Sequence, residues 1–224
     1  MKELSVFIDE SGDAGPISKY YLVSLVLHEQ DDSIDGVVGH YRRMLVDRRL
    51  SVAPFHFGPL LTGHDDYKWQ DLYSRKQQLV AFANMCQRLP FRYACCSYEK
   101  KGALASAKGL SERISADITQ LLDANLEYFH SFDHVKIYYD GGQSVVTNAI
   151  HSAIEGRLSR QAAFFRDASP RRYVLSQVAD YVCGIELTGL KFEKGEQTRT
   201  DLEFFSNVRA FKKNYLKRLR RKRL

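Results

Sequence analysis

Asp9 stands at the point where a hydrophobic segment of the chain meets a turn. Residues 4–8 are mostly apolar and branched or aromatic, and Asp9 is followed closely by Gly12. Because ligands in open α/β sheets bind in the crevice beyond the carboxyl ends of the strands, an acid here is expected at the rim of the sheet. Asp and Gly are also common turn residues, so a purely structural role stays open.

Asp140 repeats this arrangement later in the chain. It ends a second predicted strand, residues 135–139, and is followed by Gly141 and Gly142. If the two strands pair in parallel, their ends lie about 4.8 Å apart and Asp9 and Asp140 could share a cation. Two ionised carboxylates at that separation repel each other, so they require a metal ion or a shared proton. Asp-Gly-Gly is also an ordinary turn.

Asp180 lies on a predicted helix that begins at Ser176. With Ser176 as the N-cap, Asp180 falls near the first turn, on a face that it shares with Gln177, Cys183 and Gly184. The small residues of this face would let another group approach closely, and the helix N-terminus would help to keep the carboxylate ionised. A solvated helix acid is the alternative.

The three aspartates together indicate a site for a hard cation. Mg²⁺ and Mn²⁺ prefer oxygen ligands of this kind. Two such ions about 3.5 to 4 Å apart can activate water and stabilise the leaving oxygen in phosphodiester cleavage. The acids therefore predict a divalent-metal-dependent nuclease that hydrolyses DNA or RNA by a two-metal mechanism.

The elements that must position these acids alternate along the chain. Strands are predicted at residues 4–8, 20–27, 91–98, 135–139 and 162–166, and helices at two places within 31–90 and at 111–130, 147–158 and 176–192. Ser111 is expected to cap the 111–130 helix, and residues 51–69 are expected to be a polar loop. This order predicts an α/β class with a mixed sheet flanked by helices. A length of 224 residues favours one domain, residues 1–211, with 31–90 as a helical insertion.

The basic side chains are concentrated at the C-terminal end, residues 212–224. Eight of the 33 Lys and Arg residues lie there without an acid, which leaves 25 against 27 acids elsewhere. A flexible arm attracted to the phosphates of nucleic acid is one interpretation, and a solvated helix end is the other. The eight residues are Lys212, Lys213, Lys217, Arg218, Arg220, Arg221, Lys222 and Arg223.

Composition excludes several other classes. The longest apolar run, residues 20–27, is far shorter than the roughly 20 residues that cross a bilayer, so no membrane partner is expected. The charged N-terminus does not resemble a signal peptide, which predicts a cytoplasmic location. The four cysteines form no C-x-x-C pair, so neither zinc nor a disulfide framework is expected. The sequence gives no indication of the oligomeric state.

At residues 7–13, at the strand ending on Asp140, and at residues 167–181, the sequence resembles the family catalogued as domain of unknown function 3800. That family is similar to the ribonuclease H-like nucleases. The resemblance covers about residues 3–192 and implies a ribonuclease H-like mixed five-stranded sheet whose metal-binding acids are Asp9, Asp140 and Asp180. The chain departs from ordinary members of the superfamily, in which a short hairpin joins the second and third strands.

Further site residues are suggested beside the three aspartates. Residues 55–57, Phe-His-Phe, resemble a histidine element of the family, and His56 would act as a proton shuttle, a substrate contact or a loop-stabilising residue. A fourth acid often accompanies the other three, and Glu10 is one candidate because its turn could fold over the metal. The other candidates are Asp13, Glu112, Asp117, Asp123, Glu127 and Asp167.

Two alternatives to a nuclease belong to other classes. The fold could persist in a catalytically inactive nucleic-acid-binding or scaffold protein. A haloacid-dehalogenase-like phosphatase is suggested by Asp9 and Asp13, which are four residues apart, but the position two after Asp9 is Ser11 rather than an acid.

Overall fold

The first strand is central in a mixed sheet. The computed structural model describes residues 1–14, 17–139, 144–158, 162–165, 169 and 171–224. Within it the strand order is β3-β2-β1-β4, with a short β5 beside β4. The strands are β1 (Glu3–Ser11), β2 (Tyr20–Glu29), β3 (Arg92–Glu99), β4 (His134–Tyr138) and β5 (Ala162–Phe165). β1, β2 and β3 pair antiparallel, and β4 pairs in parallel with both β1 and β5. The predicted α/β class with a mixed sheet flanked by helices is confirmed.

Alternation along β1 separates two hydrophobic cores. Val6 and Ile8 face one core and Phe7 faces the other, as expected from the two-residue period of a strand. All three side chains are buried, and a buried side chain of this size contributes about 1.5 to 3 kcal/mol. A one-residue slip of β1 would exchange the two sets, so the hydrophobic pattern fixes its register.

Helices cover both faces of the sheet. The helices on the Phe7 side include α1 (Asp35–Asp47), α2 (Phe57–Thr62), α3 (Leu72–Arg88) and α7 (Val174–Lys194). The helices on the Val6 side include α4 (Ala107–Ala124), α5 (Leu126–His130) and α6 (Ser144–Leu158). The chain after α7 forms α8 (Arg199–Phe205), α9 (Val208–Phe211), a π-helical turn (Lys212–Leu216) and α10 (Lys217–Arg220).

Three local predictions were wrong. The expected polar loop at residues 51–69 contains α2, which accommodates Pro59 in its first turn, where proline is tolerated. The N-cap of α4 is Ser106, whose Oγ accepts from the N–H of Gly109 at 3.1 Å, and not Ser111. The helix that carries Asp180 begins at Val174, two residues before the expected cap Ser176.

No helix of the described ranges is long and apolar enough to span a bilayer.

Candidate functional site

Asp9 lies on the face of β1 that α7 covers. Its cross-strand partner in β2 is Ser24, so the two side chains point to the same side of the sheet. The Ser24 hydroxyl donates a hydrogen bond of 2.9 Å to the carbonyl oxygen of Ala179, which belongs to α7. This side of the sheet therefore faces α7. Ser24 is fully buried, so its hydroxyl requires such a partner. The side chain of Asp9 is therefore directed toward the first half of α7.

A second contact brings α7 to the end of β1. The Cys183 thiol donates to the carbonyl oxygen of Asp9 at 3.4 Å. Burial raises the pKa of this thiol well above its usual value, so the thiol stays protonated and acts as a donor. Asp180 is one residue after Ala179 and three before Cys183, both of which contact this part of the sheet. Asp9 and Asp180 thus belong to one helix–sheet interface.

The segment that carries Phe55, His56 and Phe57 is held against α7 by two of its backbone N–H groups. The N–H of Phe57 donates to Asp180 Oδ2 at 2.6 Å, and the N–H of Phe55 donates to Gln177 Oε1 at 3.0 Å. Gln177 and Asp180 are three residues apart and share a face of α7. The ring of Phe55 also stacks on that of Phe82 in α3, with ring centroids 3.8 Å apart. The helical insertion is therefore attached at the candidate site.

His56 directly precedes Phe57, whose backbone N–H binds Asp180. Its N–H donates to the hydroxyl of Tyr67 at 3.1 Å, and that hydroxyl donates to the carbonyl oxygen of Pro54 at 3.2 Å. The imidazole is exposed, and its positive charge acts on the carboxylate of Asp180. The backbone of His56 thus stabilises the loop, and the roles of its side chain as a proton shuttle or a substrate contact stay predictions.

The surroundings of Asp180 raise the pKa of its carboxyl group. Burial raises its pKa from 3.8 to about 6, against the opposing effects of the His56 charge and the Phe57 N–H. A pKa of about 6 leaves the carboxylate ionised at neutral pH, although the helix N-terminus does not hold that pKa at its usual value. The helix begins at Val174, which puts Asp180 in the second turn, where the favourable field of the helix end has largely decayed. A carboxylate in this position favours a nearby cation.

The small face of α7 does admit a close neighbour, as predicted. A Cβ atom built on Gly184 would lie 2.2 Å from Cδ1 of Phe57. That separation is far below van der Waals contact, so only glycine fits under this ring. The close neighbour is thus Phe57, whose backbone N–H also binds Asp180.

Glu10 lies on the other face of the sheet from Asp9. Neighbouring residues of a strand point to opposite sides, and Glu10 Oε1 accepts from the Tyr139 hydroxyl at 3.0 Å, within the core that contains Tyr21. Its charge is among the causes that raise the pKa of Tyr21. The structure therefore does not bring Glu10 to Asp180.

Asp140 lies outside the described residues, and its predicted role stays a prediction. The placement on which that role depends is confirmed, since β4 pairs in parallel with β1 and the register reaches Phe7 opposite Tyr138. Along the sequence, Asp9 is two positions after Phe7, and Asp140 is two positions after Tyr138. Within the described ranges, no three His, Cys, Asp or Glu side chains are grouped so that they could hold a metal ion.

The candidates for a fourth acid on α4 face a different part of the molecule. This helix packs on the core opposite α7, and Glu112 and Asp117 pair there with Lys108 and Arg113, respectively. Of the other candidates, Asp123 also lies on α4 and the rest lie elsewhere. Asp123 pairs with Arg157, Asp13 accepts from the N–H of Ser18, Glu127 lies in the first turn of α5, and Asp167 is outside the described residues.

The basic segment, residues 212–224, is folded and is not a flexible arm. Its helices bury Leu216 and Leu219, and its last residues lie along β3. There the N–H of Tyr93 donates to the carbonyl oxygen of Lys222 at 3.0 Å, and the N–H of Leu224 donates to that of Tyr93 at 2.8 Å. The segment is therefore helical, and its predicted attraction to phosphates stays a prediction.

Two positioning residues were not singled out from the sequence. Gln177 was placed on the correct face of α7 without a role, and it holds the N–H of Phe55. Tyr67 holds the N–H of His56 from eleven residues away, within a stretch expected to be loop. No periodic or spacing signal marks Tyr67, because its contact arises only from the fold of the insertion.

Comparisons with known proteins give one relative. The chain is 28% identical over 172 residues to the exodeoxyribonuclease 7 large subunit of Geobacillus kaustophilus (strain HTA426), and the match covers 71% of this chain. The chain spans 38% of the length of that relative. No family model matches the chain, and no solved structure matches it.

Proposed function

We propose that this protein is a divalent-metal-dependent nuclease with a ribonuclease H-like core that hydrolyses phosphodiester bonds in DNA or RNA by a two-metal mechanism. The observation that carries the proposal is the seating of α7 on the end of β1, through the Ser24–Ala179 and Cys183–Asp9 hydrogen bonds. It places Asp9 and Asp180 in one interface. The mixed sheet, with β4 parallel to β1, supports the proposed core.

The chemistry of the donors fits Mg²⁺ or Mn²⁺. These ions take oxygen ligands, and Mg²⁺ commonly binds through only one or two protein carboxylates together with water and substrate phosphates. Asp9 and Asp180 would be those carboxylates, and Asp140 is proposed as the third. Burial disfavours the charged form of Asp180, as its raised pKa indicates, and a bound cation would offset that cost. Bound there, the ion supplies a Lewis acid and an activated water molecule.

The chain's own residues would orient the site and handle a proton. Water gives up one proton and adds to the phosphorus atom, the bond from phosphorus to the leaving sugar oxygen breaks, and that oxygen takes up a proton. Phe57 holds one oxygen of Asp180 through its N–H, so the carboxylate keeps a fixed direction. The exposed His56 imidazole beside Asp180 is suited to contact the scissile phosphate or to transfer the proton.

The likeness to an exodeoxyribonuclease subunit supports nucleic acid as the substrate class. That relative is named as a subunit of an exodeoxyribonuclease, which makes DNA the first substrate to test. The chain spans only 38% of that protein, so cleavage of DNA by this chain is a proposal.

Cleavage assays with Asp9→Asn test the proposed function. Purified protein is incubated with labelled single- and double-stranded DNA and RNA, with Mn²⁺, with Mg²⁺ or with EDTA. We expect the wild type to cleave at least one substrate with a metal ion and not with EDTA. Loss of an ion that contributes several kcal/mol to the transition state should lower the rate in Asp9→Asn by about a thousandfold.

Asp47→Asn is the matched control, because it removes one exposed acid from α1 without touching the interface. It should cleave at the wild-type rate. Equal rates in the wild type and in Asp9→Asn would mean that the cleavage comes from a contaminant. Oligonucleotide binding without metal-dependent cleavage would favour the inactive nucleic-acid-binding alternative.

A further inference from the structure

A cationic groove of about 1140 Å³ lies along the C-terminal helices. Its ionisable lining is basic throughout, and no acid of the described residues contributes to it. Gln87 at the end of α3 and Val208 form part of the wall. Its basic side chains are Arg209, Lys212, Lys213, Lys217, Arg218, Arg221 and Lys222. The groove is separate from the interface of Asp9 and Asp180, none of whose residues lines it.

Four of these cations recur at every fourth position. They are Arg209, Lys213, Lys217 and Arg221. In a regular α-helix each step of four residues overshoots one turn by about 40°, so such a row drifts around the helix. The π-helical turn at Lys212–Leu216 holds more residues per turn and reduces this drift in the middle of the row. The four charges therefore form a stripe along one side of the groove.

Two other residues of the basic segment differ from the stripe because they make contacts within the protein. Arg220 pairs with Glu186 at 2.8 Å, and Lys222 donates to the carbonyl oxygen of Leu89 at 2.7 Å. Burial lowers the pKa of Lys222, as expected for a side chain that packs against the protein. By contrast, five groove residues have no hydrogen bond or ion pair from their side chains to the part of the chain that the structure describes. They are Arg209, Lys212, Lys213, Lys217 and Arg221. Their charges are available to a ligand.

The opposite side of these helices is buried. Phe211, Leu216 and Leu219 are at most 4% exposed. A helix that binds a membrane surface must present its apolar face to lipid. That face is already packed in the core here, so a lipid surface would meet only the charges. A hydrophilic polyanion fits the groove better.

We propose that this stripe binds the phosphate backbone of a single strand of nucleic acid, at a site apart from the candidate catalytic interface. From Arg209 to Arg221 the stripe extends over about 18 Å at 1.5 Å per residue, which is long enough to follow the phosphates of several nucleotides. The identity of the ligand rests on the proposed function. The stripe adds Arg209 to the predicted nucleic-acid-binding residues and contains three of the eight predicted from the sequence, Lys213, Lys217 and Arg221.

The test is the salt dependence of binding for Lys213→Gln/Lys217→Gln. Anisotropy of a fluorescein-labelled oligothymidylate and of a labelled duplex is measured in EDTA, so that no cleavage is required. Each lost phosphate contact removes about 0.7 to 0.9 from the slope of log K against log salt concentration. The double variant should therefore lose about 1.5 in slope and bind about tenfold more weakly at low salt.

Two variants make the result specific. Lys101→Gln/Lys108→Gln changes the net charge equally, at lysines paired with Glu99 and Glu112, and should keep the wild-type slope. Arg220→Gln should lower the melting temperature and also keep the slope. A wild-type slope in Lys213→Gln/Lys217→Gln, or an equal loss in the charge-matched control, overturns the proposal.

A further outcome would identify a different ligand. Sedimentation with phosphatidylcholine–phosphatidylglycerol vesicles in the same buffer should leave the protein in the supernatant. Binding to vesicles without binding to the oligonucleotides overturns the assignment to nucleic acid. The expected binding in EDTA combined with no cleavage in Mn²⁺ would reject the nuclease and leave the groove assignment standing.

Discussion

Asp180→Asn is expected to stabilise the metal-free protein at neutral pH while it removes metal-dependent cleavage. Asn keeps an oxygen that can accept from the N–H of Phe57, so the backbone contact survives. It lacks the charge that burial disfavours. A residue with only a structural role would not show a gain of stability together with a loss of activity, and this combination makes the variant informative.

The sign of the pH dependence follows from the pKa of Asp180. Its usual value is 3.8 and its folded value is about 6, so the folded protein retains a proton that the unfolded chain has already released. The stability due to that proton is complete below pH 3.8 and is lost as the pH rises through about 6. In EDTA, the unfolding free energy of Asp180→Asn should exceed that of the wild type by about 1 to 3 kcal/mol above pH 7, and the two should converge near pH 4.

Mn²⁺ should reverse the order of the two proteins. A ligand that binds only the folded state stabilises it, by about 2.7 kcal/mol at a hundred times its dissociation constant. The wild type should therefore gain thermal stability on addition of Mn²⁺, whereas Asp180→Asn should not. Thermal melts at several pH values, with EDTA and with Mn²⁺, measure both effects. Parallel pH profiles for the two proteins, or an equal response to Mn²⁺, would contradict a cation site at Asp180.

The strands were predictable because their signal is local. The alternation of Val6, Phe7 and Ile8 specifies a strand with two buried faces, and the parallel placement of β4 follows from the strand–helix–strand order. The same alternation implies that Asp9 and Glu10 face opposite sides. That information is present in the sequence, and it contradicts the prediction that the turn folds Glu10 over a metal ion beside Asp9.

Contacts between distant segments could not be predicted from local patterns. The start of α7 was misplaced because Ser176 looks like a cap, whereas the actual cap residue, Tyr173, makes no side-chain cap hydrogen bond. The basic segment shows the same limit. A count of charges includes Arg220, although this residue is engaged in an ion pair with buried Glu186. The same count omits Arg209, which the helical spacing adds to the groove.

The docking of the insertion on α7 leads to the second large effect, which is expected for Gly184→Ala. The new methyl group would overlap the Phe57 ring, whose Cδ1 and Cγ lie 2.2 and 2.3 Å from the ideal Cβ position. Phe57 is itself buried and joined to Asp180 through its N–H, so the ring cannot move aside without shifting that segment. Overpacking of this kind costs about 1 to 3 kcal/mol, more than the roughly 1 kcal/mol that alanine gains over glycine in a helix.

Gly39→Ala is the matched control on α1. There the nearest atom to the new Cβ is a guanidinium nitrogen of Arg43 at 3.5 Å, an ordinary contact. This variant should raise the unfolding free energy by up to about 1 kcal/mol, since only the helix propensity changes. Urea titrations of both variants separate the overlap with Phe57 from the general effect of replacing a helical glycine.

A double-mutant cycle then connects the packing to the site. Phe57→Leu removes the ring that blocks Gly184 but keeps the N–H that binds Asp180. Combined with Gly184→Ala it should recover most of the lost stability, with a coupling free energy of about 1 to 2 kcal/mol. Cleavage should recover in parallel, because the carboxylate of Asp180 regains its fixed direction once the segment can return. Additive losses in the double variant would mean that Phe57 does not fix the spacing between the insertion and α7, and that Asp180 is oriented by other contacts.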